Sequence, residues 1–217
     1  MFAKEQLISA CQEIFGEASL FGFTAIEQRL VDETGCRCAV VTLMPYPEMD
    51  FVYNAAVYFD VSEELRAAHG VKMDKLKAFL DQHQVSYATP PASPAEDGEH
   101  RAAFSYKWAA IHAGLGFIGK NDVFVHPRYA QRVRISCLLI DFDMPTDAAV
   151  MESQCGACVK CVEACPHRFI SGAAWRADVK RDELVNYKEC AKMSKHSGEG
   201  AKYLCMHCAL ACTYPAT

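Results

Sequence analysis

No run of about eighteen or more apolar residues occurs in this chain, so the sequence offers no candidate for a membrane-spanning helix. A basic segment followed by an apolar one does not open it either, and the expectation is a cytoplasmic protein. Positive charge is also scarce. The 22 Lys and Arg are outnumbered by 27 Asp and Glu, and a net charge of -5 offers no global attraction to nucleic acid. No tract is of low complexity, and repetition is confined to runs of cysteine. With 51% apolar residues over 217 positions, the chain can bury a true core, enough for one ordinary domain and a small appendage.

What the chain has in abundance is cysteine, twelve residues of it. In a reducing compartment thiols in that number serve metals rather than disulfides. Eight of them fall in or near two runs. The first reads Cys155-Gly-Ala-Cys158-Val-Lys-Cys161-Val-Glu-Ala-Cys165-Pro166, the spacing by which bacterial ferredoxins wrap a [4Fe–4S] cluster. A short loop points three thiolates at three corners of one cube, and the fourth leaves on a turn toward a second cube. The second run, Cys205-Met-His-Cys208-Ala-Leu-Ala-Cys212, repeats the end of the pattern, but a third ligand in register would fall at Lys202 or Ala211. Cys190 is the nearby thiol able to complete it. The predicted sets are Cys155, Cys158, Cys161 and Cys212 on one cluster, and Cys165, Cys190, Cys205 and Cys208 on the other. Structural zinc is the bland alternative, although zinc favours two separated CxxC pairs over a CxxCxxC triplet. His207 reads as a spacer donating to a cluster sulfur.

Upstream, the chain reads as mixed helix and strand. Leu7, Ile8, Cys11, Ile14 and Phe15 recur at helical spacing and predict an amphipathic helix stopped near Gly16. A capping-box pattern from Thr24 to Glu27 predicts a second helix ended by Gly35. The apolar run Ala39 to Met44, closed by Pro45-Tyr-Pro47, predicts a buried strand; residues 52–61 fit either strand or helix. Ser62, Glu63 and Glu64 predict a new helix start, with a break at Gly70. Val85 to Tyr87 is a strand candidate, and the prolines of 89–99 predict a loop. Phe104, Trp108 and Ile111 share one side of a predicted helix, and 123–125 and 133–142 read as strands. Cys11 and Cys137 lie in apolar surroundings as buried thiols, and Cys36 and Cys38 stand outside the cluster spacing. Composition changes at 143–147, which predicts a core over 1–146 and a cluster module over 147–217.

Between the helix and strand signals lies Ala113-Gly114-Leu115-Gly116-Phe-Ile-Gly119-Lys120-Asn121. Its glycines spell GxGxxG, and Gly114 to Lys120 spell GxxxxGK with Asn121 where Ser or Thr would bind magnesium. Both nucleotide patterns require a strand before and a helix after, the reverse of the order here. Two readings remain: a tight helix-to-strand turn, or a backbone open to close approach by a flat or bulky ligand.

The glycine loop, followed after about thirty residues by the four-cysteine run and a closing CxxCxxxC, resembles epoxyqueuosine reductase and, more distantly, the corrinoid reductive dehalogenases. The similarity covers roughly residues 100–212. It implies an α+β fold: a nitroreductase-like core holding cobalamin at Gly114, Leu115, Gly116, Gly119, Lys120 and Asn121, and a small C-terminal two-cluster ferredoxin-like domain feeding electrons to cobalt. A redox partner protein would supply those electrons, and a small molecule would receive them. The acidic residues of the family's proton-donating segment align with His100 and Tyr106. These become the candidate catalytic residues, with Asp97 or Glu99 as substitutes through a shifted loop. The chain stops at Thr217, short of the extra region that tRNA-acting relatives carry, so tRNA is not the expected partner. The expected function is an iron–sulfur oxidoreductase; the alternative is a non-catalytic [4Fe–4S] electron carrier.

Overall fold

The computed structural model describes residues 2–48, 54–90, 102–146, 148–198 and 201–214, with backbone alone for 194–198 and 201–203. Its elements begin with α1 (Lys4–Phe15), β1 (Phe21–Ala25), α2 (Gln28–Thr34), β2 (Cys38–Pro45), α3 (Ala55–Gln82), β3 (Tyr87–Ala88) and α4 (Tyr106–His112). They continue with β4 (Phe117–Ile118), β5 (Phe124–Val125), β6 (Val133–Ile140), α5 (Lys160–Glu163), α6 (Arg181–Leu184), α7 (Tyr187–Ser194), β7 (Lys195–Gly198), β8 (Ala201–Leu204) and α8 (His207–Leu210). The architecture is α+β, in two compact units. One comprises Met1–Met44, Ala67–Leu115 and Arg134–Val150; the other comprises Pro45–Arg66, Gly116–Val133 and Met151–Thr217.

The first unit is built on a four-stranded sheet of order β1-β2-β6-β3, with β1 antiparallel to β2 and β3 antiparallel to β6. Ala39, Val40, Val41, Thr42 and Leu43 of β2 are all buried, which is why this segment reads as an unbroken apolar run rather than an alternating one. One face of the sheet meets Leu7, Cys11 and Phe15 from α1 and Met73, Leu76 and Leu80 from α3. Gly16, at φ 95, ends α1 where the sequence places the stop.

Three local expectations give way. Thr24 is a buried strand residue paired with Ala39, not a helix cap; α2 starts at Gln28 without a side-chain cap and ends at Gly35, φ 71. Cross-strand burial outweighs the capping pattern. Second, α3 runs unbroken through both Ser62 and Gly70. An interior glycine costs a helix only about 1 kcal/mol, less than the burial of Met73, Leu76 and Leu80 returns. Third, Trp108 is on the exposed side of α4, stacked on His112 with centroids 3.9 Å apart, while Ile111 is buried. Residues 52 and 53 of the ambiguous stretch lie outside the described residues, and from Ala55 onward it is helix.

Within this core sits a buried histidine. His69 Nε2 lies 2.8 Å from Thr42 Oγ1, and its Nδ1 has no hydrogen-bond partner. An unpaired lone pair is cheaper to bury than an unpaired N–H, so the proton belongs on Nε2, donated to Thr42, whose hydroxyl can donate to Ser136 O. Burial, then Arg134 and Lys72, lower the His69 pKa to about 4. The folded chain therefore binds this proton less readily than the unfolded chain, and stability present above pH 6.5 is lost as the pH falls toward 4. The window of about 2.5 units corresponds to about 3 kcal/mol. Urea midpoints measured from pH 7 to pH 4 should fall in the native protein, with His69→Leu flattening that part of the profile; an unchanged slope would show that His69 is not its source.

The second unit pairs β4 with β5 and β7 with β8 as antiparallel hairpins. Its small core gathers Cys161, Ile170, Leu184 and Val185, closed by a bridge between Ile170 and Val185. Among the described residues no helix is long and apolar enough to cross a membrane.

Candidate functional site

The cysteine runs fold as short helical turns joined by tight loops. Gly156, at φ 50, turns the first loop so that Cys158 N–H donates to Cys155 O at 2.9 Å. Cys161 rides on α5 with its thiol turned into the small core. Pro166 follows the end of α5, and the Phe169 N–H donates to Cys165 Sγ at 3.4 Å. Cys190 rides on α7, Cys208 on α8, and Cys212 follows α8 with its N–H on Ala209 O.

Four of these thiols are raised by burial and by their neighbours among the eight. Burial pushes Cys161 up to about 11, with Cys155, Cys208, Cys158 and Cys212 adding to it. Cys212 is raised by burial and by Cys155 and Cys158, against lowering from the Tyr214 backbone and Arg132. Cys190 is raised by burial, then by Cys205 and Cys165. Cys208 is raised by burial, lowered by a hydrogen bond from Asn121, and raised by Cys205, Cys190 and Cys165. Cys155 and Cys158 of the first run are thus among the neighbours of Cys212, and Cys165 is among those of Cys190 and Cys208, while Cys161 has neighbours in both predicted sets. A cavity of about 40 Å³ opens among Cys165, Cys190, Cys205 and Cys208, lined also by Asn121 and Phe169. Among the described residues no three His, Cys, Asp or Glu side chains form a group that could hold one metal ion. Thiols gathered around a space, with a backbone N–H already on one sulfur, have the donor chemistry that a [4Fe–4S] cluster needs. Cys11, Cys36, Cys38 and Cys137 are buried in the first unit, where burial raises Cys11 and Cys38 to about 12.

The glycine loop follows α4 and leads into β4, a helix-to-strand turn. Its glycines face protein atoms. A Cβ on Gly116 would stand 2.1 Å from Val125 O, one on Gly119 would stand 2.9 Å from Gln131 Nε2, and Gly114, φ 72, has Ala148 Cβ at 2.9 Å. Internal packing calls for glycine at all three positions, in keeping with the tight-turn reading of the loop. Leu115 is buried, with its N–H on Ala110 O. The polar residues are occupied too. Lys120, 6% exposed, donates from Nζ to Gly156 O at 2.8 Å and Cys158 O at 3.0 Å. Asn121 and Gln131 exchange two hydrogen bonds of 2.8 Å, both side chains buried. Neither partnership has a signature in the sequence, because a buried Gln131 ten residues away carries no motif.

Of the candidate proton donors, Tyr106 donates its hydroxyl to Pro90 O at 2.7 Å, and its pKa is pushed up to about 12 by burial, then by Cys137, with Arg134 opposing. His100, Asp97 and Glu99 lie outside the described residues.

No family profile matches the chain. Curated epoxyqueuosine reductases do: that of Bacillus subtilis (strain 168) is 31% identical over 109 residues, 50% of this chain and 25% of the relative. The alignment therefore spans a quarter of that protein's length. Among solved structures, an epoxyqueuosine reductase with an epoxyqueuosine-modified tRNA stem loop superposes with a TM-score of 0.59 at 20% identity, covering 97% of this chain and 64% of that one. A reductive dehalogenase whose structure suggests a mechanism for B12-dependent dehalogenation superposes at 0.56, with 18% identity over 82% of this chain and 25% of the other. The fold is of the kind shared by epoxyqueuosine reductases and reductive dehalogenases. By sequence, the chain is similar to epoxyqueuosine reductase in particular.

Proposed function

We propose that the chain is an iron–sulfur oxidoreductase of the epoxyqueuosine reductase kind, with a nitroreductase-like core over 1–146 and a ferredoxin-like module over 147–217. In it Cys155, Cys158, Cys161 and Cys212 would hold one [4Fe–4S] cluster and Cys165, Cys190, Cys205 and Cys208 a second, and the pair would supply electrons to a corrinoid or related cofactor. The observation that carries this reading is the cavity that Cys165 of the first run lines together with Cys190, Cys205 and Cys208. Bound clusters supply one-electron transfer at low potential. The chain's own residues fix the ligand loops: Lys120 ties down the Cys155–Cys158 turn, and the Phe169 N–H holds Cys165 Sγ. Tyr106 and His100 are the proton donors to test, Tyr106 as the neutral phenol that its burial favours. A redox partner protein supplies the electrons.

Similarity to epoxyqueuosine reductases favours a reductase over a passive carrier, and makes an epoxyqueuosine-containing tRNA stem loop the first substrate to try. Oxygen-free reconstitution should give about eight irons and eight sulfides per chain, and the reduced protein should then change the absorption of added cobalamin. Zinc in place of iron, or about one cluster's worth of iron, would overturn the two-cluster reading. Full iron with an unaltered corrinoid spectrum would overturn the corrinoid step.

A further inference from the structure

We infer that the consecutive residues Lys120 and Asn121 are positioning residues for two different clusters, Lys120 setting the reduction potential of the first and Asn121 that of the second. This rests on the two-cluster reading above. Lys120 is anchored on the loop between two first-set ligands, its Nζ donating to Gly156 O and Cys158 O while only 6% of the residue is exposed. A buried ammonium held by two neutral carbonyls has no counter-charge of its own in those contacts. A cluster in four thiolates is anionic, and reduction adds one more negative charge beside that ammonium. The cation therefore stabilises the reduced form more than the oxidised one and raises the potential.

Asn121 acts on the other side of the same turn. Its amide has two N–H donors: Nδ2 gives one to Gln131 Oε1 at 2.8 Å, and the other is left for a ligand sulfur of the cavity that Cys208 also lines. Gln131 Nε2 returns a bond to Asn121 Oδ1 at 2.8 Å, which fixes the plane of the amide. Asn121 lines the cavity enclosed by Cys165, Cys190, Cys205 and Cys208. An N–H donated to a ligand sulfur favours the more negative, reduced cluster. The turn thus delivers a full charge to one site and an oriented dipole to the next, through side chains one residue apart. This function also accounts for the Gly-Lys-Asn sequence in a loop whose glycines are already explained by packing.

The test is an oxygen-free redox titration followed by electron paramagnetic resonance, with iron counted beforehand. Wild-type protein with about eight irons establishes the clusters; fewer would sink the underlying reading, not this one. Lys120→Met should move about half of the reducible signal to lower potential by about tenfold in the equilibrium, about 59 mV for a one-electron couple. Lys120→Arg, which keeps the charge, should restore most of it. Asn121→Leu should lower the other half by a smaller amount, and the double variant should move both halves. Loss of one cluster alone in Lys120→Met would also support its assignment, with Lys120→Arg then holding all the iron. The inference is overturned if Lys120→Met and Asn121→Leu move the same half, if neither moves any signal, or if Lys120→Arg behaves as Lys120→Met.

Discussion

Cys158→Ser is expected to reduce the iron content of reconstituted protein from about eight to about four atoms per chain. Cys158 is exposed, at the end of a turn whose backbone is held by Lys120, so the substitution removes a ligand without removing the turn. Serine leaves a neutral hydroxyl where a thiolate is required, and three remaining thiols hold a cube poorly. On the proposed crossed assignment Cys212 completes the same set from the far end of the second run, so losing this cluster should also release the chain after α8, and the second unit should unfold at lower urea. Cys212→Ser should give the same spectrum as Cys158→Ser, although Cys212 is in sequence the neighbour of Cys208. Should Cys212→Ser instead match Cys208→Ser, the crossed assignment is wrong and the runs ligate separately. Iron analysis and circular dichroism on anaerobic protein decide it, with Cys137→Ser, in the first unit's core, as the variant that leaves iron unchanged.

The cysteine spacing was legible because cluster ligation is local: a short loop must aim three thiolates, so the spacing of Cys155, Cys158 and Cys161 carries its own geometry. The proposed crossing of the fourth ligands came from the two-cluster pattern, and Cys190 from the absence of a donor at Lys202 and Ala211. The buried strand at Ala39 to Met44 and the helix stops at Gly16 and Gly35 were legible for the same reason, each being set by residues within one turn or one strand. Where neighbours distant in sequence decide, the reading fails. Thr24 looks like a cap until β2 pairs with it, and Gly70 looks like a break until a buried face carries α3 through it. Lys120 and Asn121 were singled out as candidate cofactor-binding residues of the glycine loop. Their partners, the Cys155–Cys158 turn and Gln131, are fixed only by tertiary folding, and no motif in the sequence marks them.

Gly116→Ala separates those two purposes. If the glycine exists to admit a ligand, an added methyl should weaken ligand binding and leave the metal-free chain as stable as before. The structure predicts the opposite order. The new Cβ would stand 2.1 Å from Val125 O, with the Phe124 ring at 2.8 Å. Val125 pairs with Phe117 and Phe124 with Ile118, so neither can retreat without opening the β4–β5 hairpin. A backbone carbonyl cannot rotate away as a long side chain could, and the substitution should destabilise the second unit by about 3 kcal/mol or more, at the upper end of ordinary overpacking. Trp175 packs against that unit's core, and its fluorescence in a Trp108→Phe background reports the transition under urea without interference from the first unit. Gly70→Ala is the matched control: nothing lies within 4 Å of its added methyl, and as an interior helix position it should gain up to about 1 kcal/mol. An unchanged urea midpoint for Gly116→Ala, together with lost cobalamin binding, would return the loop to a ligand-cradling role. A large fall in the midpoint before any cofactor is added would assign Gly116 to the hairpin that carries Lys120 and Asn121 toward the clusters.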